Sequence, residues 1–330
     1  MHFSIIIPVF NRPDEVDELL LSLTTQGFKD FEVIIVEDGS TITCLEVVEK
    51  YKFQLNIHYY DKLNEGPGLT RNFGVEKATG DYFIFFDSDC IIPNNYMDIV
   101  SDFLNLNYYP LFGGPDAAAP SFTPIQQAIS YSMTSVLTTG GIRGGMKNTK
   151  KFHPRSFNMG FDKQVYEKTS GFGKIRFGED LDLSLRSISL GFDAILIKEA
   201  FVYHKRRTDF KKFFKQIHNS GIARINLNIR HPSTLKAIHT LPTVFVIFSI
   251  LSIILGLFSF DLGLFIIFLY FIAIFFHSLI KLKSIKVAGL SVVATAVQHT
   301  AYGTGMIKAV WRRYILRQGE FEAYIKNFYK

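Results

Sequence analysis

The sequence predicts an α/β domain with a mostly parallel sheet, followed by a C-terminal region of membrane helices. Three observations carry this prediction. Short apolar runs alternate with helical patterns over the first 200 residues, pairs of acidic residues stand directly after two of the runs, and two long uncharged stretches lie beyond residue 240. Alternating strands and helices at this spacing favour parallel strands joined by right-handed crossovers.

The strands are predicted where β-branched and aromatic residues form short runs that end at turn residues. These runs are Phe3–Val9, Phe31–Val36, Phe53–Tyr60, Tyr82–Phe86, Tyr109–Pro115, Asp193–Ile197 and Ala200–Tyr203. Helices are predicted where apolar residues recur every three or four positions. They follow Pro13 (with Val16, Leu19, Leu20 and Leu23 on one face) and cover Leu69–Ala78 and Phe122–Leu137.

Asp87 and Asp89 follow the strand Tyr82–Phe86 directly, and Glu37 and Asp38 follow the strand Phe31–Val36. Ligands of open α/β sheets bind at the carboxyl ends of the strands. Mg²⁺ and Mn²⁺ take oxygen ligands, so an Asp-x-Asp turn at this edge indicates a metal site. The alternative is a solvated, Asp-rich turn. The sequence has neither a GxGxxG motif after its first strand nor a Walker A motif, which disfavours a dehydrogenase or a P-loop protein.

The charge is unevenly distributed along the 330 residues. Residues 1–200 contain 18 Lys and Arg against 26 Asp and Glu, whereas residues 201–330 contain 18 against 4. A basic region suits nucleic acid or an anionic membrane surface, and the long apolar stretches beside it favour the membrane. No nucleic-acid partner is therefore expected. Two cysteines, Cys44 and Cys90, are too few for a disulfide framework. Because the N-terminus also lacks a signal-peptide pattern, we expect the first domain to lie in the cytosol.

Four motifs in succession carry a resemblance to a known family. They read IIIPVFNR from Ile5, VIIVEDGS from Val33, GPGLTRNFG from Gly66 and FFDSD from Phe85. Their order and spacing resemble the nucleotide-sugar domain of a family 2 glycosyltransferase, of the membrane-anchored, inverting, bacterial type. The resemblance covers about the first 205 residues. It implies the GT-A fold, a Rossmann-like nucleotide-sugar-binding domain with a mixed sheet.

The resemblance also implies roles for individual residues. It implies that the nucleotide base lies against Pro8, Val9, Phe10 and Asn11, and that Asp38 accepts a hydrogen bond from the base imide. The ribose, diphosphate or sugar is then expected near Arg71, Asn72, Asp87 and Ser88. A divalent metal, Mn²⁺ or Mg²⁺, is expected on Asp89 and His204, with Asp87 as a further possible ligand. Taken singly, Asn11 and Asp38 are also typical turn residues, and Arg71 is also typical of a helix surface.

Gly178 precedes the helical pattern EDLDLSLR, so Glu179 and Asp180 fall in its first turn, where backbone N–H groups favour carboxylates. The resemblance implies that Asp180 is the general base that deprotonates the acceptor and that Glu179 orients the acceptor. Asp182 is expected to be a charge on the helix face. The alternative is that these acids only complement the helix dipole.

Two further segments belong to the acceptor side of the predicted domain. The glycine-rich segment Thr139–Lys151 has the composition of a mobile lid or of a flexible linker. Residues Phe157–Gly160 resemble the family's acceptor-side strand.

The C-terminal region is predicted to be membrane-associated. Lys205–Lys236 has nine basic residues against one acid, with Phe213 and Ile217 at helical spacing, which is typical of a helix on an anionic leaflet. Leu241–Phe260 and Leu262–Ile280 are long enough to cross a bilayer. Val287–Ile307 is predicted either to cross or, as we prefer, to form a re-entrant or interfacial hairpin. The predicted regions are thus 1–205 (catalytic), 206–239 (interfacial), 240–311 (membrane) and 312–330 (basic cytosolic tail).

The predicted function is an inverting, metal-dependent sugar transfer in cell-surface glycan biosynthesis. A nucleotide-diphosphate sugar, with a UDP-sugar favoured, is the expected donor, and a hydroxyl of a lipid-linked saccharide at the cytoplasmic membrane face is the expected acceptor. One alternative is a polyprenyl-phosphate glycosyltransferase, although its acceptor phosphate needs no general base. The other is a non-catalytic membrane subunit that binds a sugar nucleotide.

Overall fold

The computed structural model describes residues 1–119, 121–140, 152–175, 177–259 and 261–320. The chain divides into two compact units. The first contains the described residues up to Ala119 and those from Phe152 to His204, and the second contains those from Ser121 to Gly140 and from Lys205 to Glu320. The predicted catalytic region, 1–205, differs from this division because the segment 121–140 groups with the C-terminal helices.

The first unit contains the strands. They are β1 Phe3–Val9, β2 Phe31–Asp38, β3 Ile57–Lys62, β4 Tyr82–Phe86, β5 Cys90–Ile91, β6 Leu111–Gly113, β7 Asp116–Ala117, β8 Asn158–Asp162, β9 Ala194–Leu196 and β10 Val202–His204. Within the described residues, the main sheet has the order β3-β2-β1-β4-β8-β6-β9. Strand β8 runs antiparallel to β4 and β6, and the other pairs are parallel. A smaller sheet has the order β5-β10-β7.

The helices follow in chain order. They are α1 Pro13–Thr24, α2 Leu45–Tyr51, α3 Pro67–Lys77, α4 Tyr96–Leu106, α5 Pro124–Thr134, α6 Val136–Thr139, α7 Lys163–Thr169, α8 Glu179–Ser189, α9 Phe210–Arg230, α10 Ala237–Gly256, α11 Leu262–Leu282 and α12 Ile285–Val310. A short π-helix, Trp311–Ile315, continues α12.

The main sheet is covered by hydrophobic side chains on both faces. Along β1, alternate residues from Phe3 to Val9 join one core cluster, and Ile6 joins the other. The predicted bounds of β1 and β4 are confirmed. Strand β2 extends two residues further than predicted, so Glu37 and Asp38 lie within the strand and are buried.

Other predicted elements of the first 140 residues also differ from the structure, including β6, which is shorter at both ends than the predicted strand Tyr109–Pro115. Strand β3 begins at Ile57 instead of Phe53, because Phe53 lies in a turn after α2 and its side chain is 91% exposed. The predicted helix Phe122–Leu137 is interrupted at Ser135, whose backbone is extended and whose hydroxyl caps α6. Most of the predicted glycine-rich lid, residues 141–151, lies outside the described residues.

In the second unit, Asp209 caps α9 by accepting a hydrogen bond from the Lys212 N–H at 2.7 Å. Phe213 and Ile217 are buried, and Lys211, Lys212 and Lys215 are exposed. Helices α10 and α11, with 20 and 21 residues, are long and apolar enough to cross a membrane. Helix α10 begins four residues before the predicted span and ends at Gly256.

Helix α12 is one continuous helix of 26 residues, so the hairpin that we preferred for Val287–Ile307 is wrong. The glycines that suggested a break instead allow close packing. A Cβ at Gly305 would lie 2.1 Å from the His218 carbonyl oxygen of α9, and one at Gly303 would lie 2.6 Å from the Pro242 carbonyl oxygen of α10. Small residues at helix crossings let two backbones approach, which explains the pattern without a chain reversal.

Candidate active site

Asp89 and His204 are brought together by the smaller sheet. Strand β5 follows Asp89 directly and pairs antiparallel with β10, so that Cys90 stands opposite His204. The His204 Nε2 atom lies 3.1 Å from the Asp89 Oδ1 atom and 3.9 Å from the Asp87 Oδ2 atom. The Phe157 ring stacks on the imidazole with 4.9 Å between centroids, which holds its orientation.

The predicted metal ligands form a suitable donor set. One ligand atom each from Asp89, Cys90 and His204 lies within 4.8 Å of the others. A carboxylate suits Mn²⁺ or Mg²⁺, and an imidazole suits transition metals such as Zn²⁺ and Fe²⁺. Burial raises the pKa of the Cys90 thiol well above its ordinary value, and the thiol donates to the Phe157 carbonyl oxygen. The carboxylate and the imidazole therefore fit the divalent cation that the sequence predicts.

Asp89 also forms a salt bridge with Arg12, a residue for which the sequence predicted no role. The Arg12 Nη1 atom donates to the Asp89 Oδ2 atom at 2.8 Å, although 77 residues separate the two. Arg12 ends the first motif, at the carboxyl end of β1. Its guanidinium thus supplies a positive charge at the oxygen that faces away from His204.

Arg71 connects this group to the predicted base. Its Nη2 atom donates to the Asp87 Oδ1 atom at 2.6 Å, and its Nη1 atom donates to the Glu179 Oε1 atom at 3.2 Å. The guanidinium lies over the Phe172 ring, 5.3 Å from its centroid. Arg71 is only 3% exposed, so it is a buried junction between two carboxylates and not a helix-surface charge.

Asp38 lies at the end of β2 and is 1% exposed. Its carboxylate oxygens accept hydrogen bonds from the backbone N–H groups of Glu65 and Gly66 at 2.9 and 2.8 Å. Its backbone carbonyl accepts from the Asn64 amide at 2.6 Å. These contacts fix the loop between β3 and α3 at the edge where the nucleotide base is expected. The Asn64 amide and the Lys62 ammonium also donate to this carboxylate, at 3.3 and 3.5 Å, so its roughly four acceptor positions are used and a base imide would replace one of these two longer contacts.

The remaining residues that were predicted to bind the nucleotide sugar differ in their exposure. Pro8, Phe10 and Asn11 are partly exposed at the end of β1, and Ser88 is buried in the turn after β4. The Val9 side chain lies in the hydrophobic core and is 1% exposed, so it does not line a base pocket as expected. The physical reason is the alternation of side chains along a strand, which turns Val9 away from Pro8 and Phe10.

Asn11 and Asn72 mainly organise loops. The Asn11 Oδ1 atom accepts from the backbone N–H groups of Thr41 and Ile42 at 2.8 and 2.9 Å. The Asn72 amide donates to the Phe172 carbonyl oxygen, and its own oxygen accepts from the Phe172 N–H. Both polar atoms of Asn72 are therefore used by the backbone of Phe172, whose ring lies under the Arg71 guanidinium.

Glu179 and Asp180 begin α8, as predicted, and both side chains are largely buried. The Asp180 Oδ1 atom accepts from the Leu181 N–H at 2.7 Å, and its Oδ2 atom accepts from the Arg155 Nε atom at 2.8 Å. Arg155 is a second cation that we did not predict. It lies in the segment before β8, 25 residues away in sequence.

The two acids differ in protonation. Burial and the neighbouring Asp180 charge raise the pKa of Glu179 to about 7, against the lowering influence of Arg71. Burial also acts to raise the pKa of Asp180, but the Arg155 charge and the Leu181 N–H outweigh burial and hold it below its ordinary value. At neutral pH, Asp180 is therefore ionised and Glu179 is partly protonated. Environments that separate the pKa values of paired carboxylates are typical of acid–base sites.

Asp182 differs from its prediction as a helix-face charge. It is 4% exposed and pairs with Arg186 at 2.8 Å, four residues later in α8. Arg186 in turn donates to the carbonyl oxygens of Thr169 and Gly171. The pair thus holds the chain before Phe172, which contacts Arg71, in place.

Comparison with known proteins gives a consistent result. The protein family described as "Glycosyl transferase family 2" matches residues 4–169. An uncharacterized glycosyltransferase of Rickettsia bellii is 37% identical over 106 residues, which are 32% of this chain and 15% of that protein. The poly(ribitol-phosphate) beta-N-acetylglucosaminyltransferase TarS of Staphylococcus aureus is 37% identical over 109 residues, 32% of this chain and 19% of TarS. In these two matches the chain covers less than a fifth of the relative's length.

Solved structures extend the similarity over nearly the whole chain. TarS residues 1–349 in complex with UDP-GlcNAc align with a TM-score of 0.51 and 19% identity, covering 96% of this chain and 93% of that one. The mannosyltransferase PcManGT from Pyrobaculum calidifontis, in complex with GDP-Man and Mn²⁺, aligns with a TM-score of 0.61 and 14% identity, covering 90% and 86%. At these identities the likeness concerns the fold.

The sheet order and the similarity to these solved structures define the GT-A fold, which confirms the predicted fold class. The match over residues 4–169 covers half of the chain. The protein therefore belongs to glycosyl transferase family 2, and it is an enzyme of the transferase class.

Proposed function

We propose that this glycosyltransferase moves a sugar, with inversion, from a nucleotide-diphosphate sugar to a hydroxyl of a lipid-linked saccharide at the cytoplasmic membrane face. A UDP-sugar is the favoured donor, and the product belongs to cell-surface glycan biosynthesis.

One observation carries this proposal: a continuous series of polar contacts runs from the predicted metal ligands to the predicted base. It passes from Asp89 to His204, on to Asp87, and through Arg71 to Glu179. Each neighbour in the series lies within 3.9 Å of the next, and Asp180 follows Glu179 in the chain. A donor diphosphate at one end and an acceptor hydroxyl at the other would therefore meet along one connected site.

The base end supports a direct displacement. The ionised Asp180 carboxylate takes the proton from the acceptor hydroxyl while the oxygen of that hydroxyl forms a bond to the anomeric carbon of the donor sugar. The bond between that carbon and the diphosphate oxygen breaks on the opposite side, and the nucleoside diphosphate leaves with its electron pair. Proton removal by a positioned base contributes about 10²- to 10⁴-fold to the rate. Glu179, held by Arg71, contributes a hydrogen-bonding group that orients the acceptor.

The metal end supports a diphosphate leaving group. Asp89 and His204 would hold a divalent cation, with Asp87 close enough to contribute. Such a cation supplies Lewis-acid stabilisation of the charge that develops on the diphosphate. Arg12 and Arg71 carry positive charge on either side of the Asp-x-Asp turn, which suits an anionic donor.

The donor preference rests on Asp38 and on the structural relatives. Asp38 is held at the carboxyl edge of the sheet by two backbone N–H groups, and a base imide could replace one of its longer contacts, from Asn64 or Lys62. TarS, which shares the fold, was solved with UDP-GlcNAc. A UDP-sugar is therefore the first donor to test.

The acceptor class rests on the second unit. Helices α10 and α11 expose many large apolar side chains, such as Leu251 at 52%, Ile253 at 57% and Phe268 at 59%. Soluble proteins rarely expose apolar surfaces of this extent, whereas a bilayer would cover them. Lys281 and Lys283 lie at the C-terminal end of α11 and fit the cytoplasmic side. We propose that α10 and α11 span the membrane, that α12 is a third membrane helix, and that the basic helix α9 lies at the anionic leaflet.

The test is a transfer assay with the full chain in nanodiscs. UDP-, GDP- and dTDP-sugars labelled in the sugar are offered with a lipid-linked saccharide, a lipid-linked poly(ribitol phosphate) and a polyprenyl phosphate. We expect transfer from a UDP-sugar to a lipid-linked saccharide, with the opposite anomeric configuration in the product. The Asp180→Asn variant should transfer sugar about 10²- to 10⁴-fold more slowly, whereas Glu167→Gln, which changes an exposed acid of α7, should keep its activity.

Three results would contradict the proposal. Transfer to the polyprenyl phosphate alone would favour the phosphate-acceptor alternative. Nucleotide binding by calorimetry without turnover on any acceptor would favour a non-catalytic subunit. Retention of the anomeric configuration would exclude the direct displacement.

A further inference from the structure

Arg155 is a cation beside the base for which neither the motifs nor the comparisons provide a role. Its Nε atom donates to the Asp180 Oδ2 atom at 2.8 Å. The Arg155 side chain is 34% exposed and the Asp180 side chain 12% exposed, so a partly exposed guanidinium pairs with a largely buried carboxylate. Fully exposed ion pairs contribute little, whereas a pair with one buried partner constrains that partner.

The backbone around Arg155 is attached on both sides. The preceding residue, Pro154, accepts a hydrogen bond through its carbonyl oxygen from the Ser184 hydroxyl at 2.7 Å. Ser184 is fully buried and lies one helical turn after Asp180 in α8. The Arg155 carbonyl oxygen itself accepts from the Asn158 N–H at 3.0 Å. The segment is therefore tied to the same helix that carries the base.

Asn158 strengthens this attachment. Its side chain is fully buried, donates to the Ala200 carbonyl oxygen at 2.8 Å and accepts from the Tyr96 hydroxyl at 2.7 Å. Because Asn158 begins β8, which lies between β4 and β6 in the main sheet, the position of Arg155 is set by the core of the first unit. Buried contacts of this kind do not support the backbone of a typical surface arginine.

We infer that Arg155 is a positioning residue for the general base: it fixes the Asp180 carboxylate in one orientation and keeps it in the ionised form. This inference rests on the proposed role of Asp180. The Leu181 N–H holds the Oδ1 atom and Arg155 holds the Oδ2 atom, so the plane of the carboxylate is set from two sides. The remaining acceptor positions of these oxygens can then receive the acceptor hydroxyl.

The charges around the carboxylate explain why this cation is needed. Asp180 is flanked by Glu179 on its own helix, by Arg155 from the segment before β8 and by Arg71 from α3. Asp116 of β7 and Glu179 also face Arg155. Burial and the neighbouring acid favour a protonated Asp180, and the two cations oppose them. Without Arg155 the balance moves toward the protonated form, which cannot accept a proton.

This role has a signature in the pH dependence that a structural role lacks. Loss of Arg155 should shift the acid limb of the rate profile toward higher pH, because activity falls as the pH decreases through the pKa of Asp180. Above that limb the carboxylate ionises again and the activity should return. A residue that only maintained the fold, or that only bound the donor, would lower the rate by the same factor at every pH.

The experiment compares wild type, Arg155→Gln and Arg155→Lys over pH 5 to 9 in nanodiscs, with kcat/KM for the acceptor as readout. We expect Arg155→Gln to be at least about tenfold slower than wild type at pH 5 and within about threefold at pH 9, because loss of the cation should raise the Asp180 pKa and move the acid limb up by about two pH units or more, to about pH 6. Arg155→Lys keeps the positive charge, so its pH profile should lie between those of wild type and Arg155→Gln. UDP affinity, measured by calorimetry, should be unchanged in both variants.

A second measurement is independent of turnover. The ¹³C-carboxyl resonance of Asp180, assigned by its loss in Asp180→Asn, is titrated by NMR in wild type and in the Arg155 variants. We expect its midpoint to rise in Arg155→Gln. Parallel pH profiles or an unchanged midpoint in Arg155→Gln would overturn the inference. If Arg155→Gln does not fold, the same results in Arg155→Lys would overturn it. Wild type without turnover but with the expected titration would instead contradict the proposed function alone.

Discussion

Replacing Arg71 with methionine should destabilise the first unit strongly, and more at alkaline than at acidic pH. Arg71 is 3% exposed and is the partner of both Asp87 and Glu179. Removing one partner of a buried ion pair costs about 3–5 kcal/mol, because the remaining charge stays buried without compensation. For a unit of this size, about 1 kcal/mol corresponds to a shift of about 2–4 °C in Tm. We therefore expect Tm to fall by about 6–20 °C at pH 8.

The pH dependence follows from Glu179. Its pKa in the folded protein is raised to about 7, so protonation favours the folded state. The corresponding stability is complete at pH values below the ordinary pKa of a glutamate and is lost as the pH rises through about 7. In the Arg71→Met variant, Glu179 is neutral at pH 5.5, so the loss of stability should be clearly smaller there than at pH 8.

The assay is thermal denaturation followed by circular dichroism at pH 5.5 and pH 8. Lys77→Met is the matched control, because Lys77 is an exposed cation of the same helix whose ring contacts contribute about 1 kcal/mol or less. Adding Glu179→Gln to Arg71→Met should recover part of the loss at pH 8. An equal effect of the control, or a loss that does not depend on pH, would refute the reasoning.

Three further predictions concern the base, the metal and the backbone. Asp180→Asn should reduce sugar transfer by about 10²- to 10⁴-fold without lowering Tm, and near-normal turnover would exclude it as the base. EDTA should abolish transfer, Mn²⁺ or Mg²⁺ should restore it, and Asp89→Asn should raise the metal concentration needed; undiminished activity in chelator would contradict the metal site. Gly114→Ala should cost about 1–3 kcal/mol by denaturation, because its Cβ would lie 1.9 Å from the Ala200 carbonyl oxygen. Gly289→Ala, with no heavy atom within 4 Å of the new Cβ, should instead stabilise α12 by about 0.5–1 kcal/mol, and similar losses for both would contradict the packing argument.

Much of the fold follows from local patterns. The runs Phe3–Val9 and Tyr82–Phe86 are strands with the predicted bounds, because continuous apolar runs ended by Pro, Asn or Asp suit buried strands. The Glu179–Asp180 pair begins α8 as predicted, since acids after a glycine suit a helix N-terminus. The direction of side chains was less predictable. Val9 is in the core, because one residue of shift along a strand reverses the face.

The second unit contains another feature that the sequence alone could not predict. Glycines in Val287–Ile307 are typical of a break in an isolated helix, but here they are places where other helices approach α12 closely. A glycine has no side chain whose pattern could distinguish these two uses. Only the neighbouring backbones decide between them.

The sequence by itself determined that acids stand at the ends of two strands and that the chain belongs with the glycosyltransferases, because these features depend on short motifs and their order. Only the tertiary structure decided how the acids are paired. Arg12 reaches Asp89 across 77 residues, and Arg71 reaches Glu179 across 108. Such contacts depend on which strands and helices pack together, and no local periodicity encodes that packing. The acids and Arg71 could therefore be predicted from the sequence, whereas the pairing of Arg12 with Asp89 and of Arg155 with Asp180 follows from the tertiary structure.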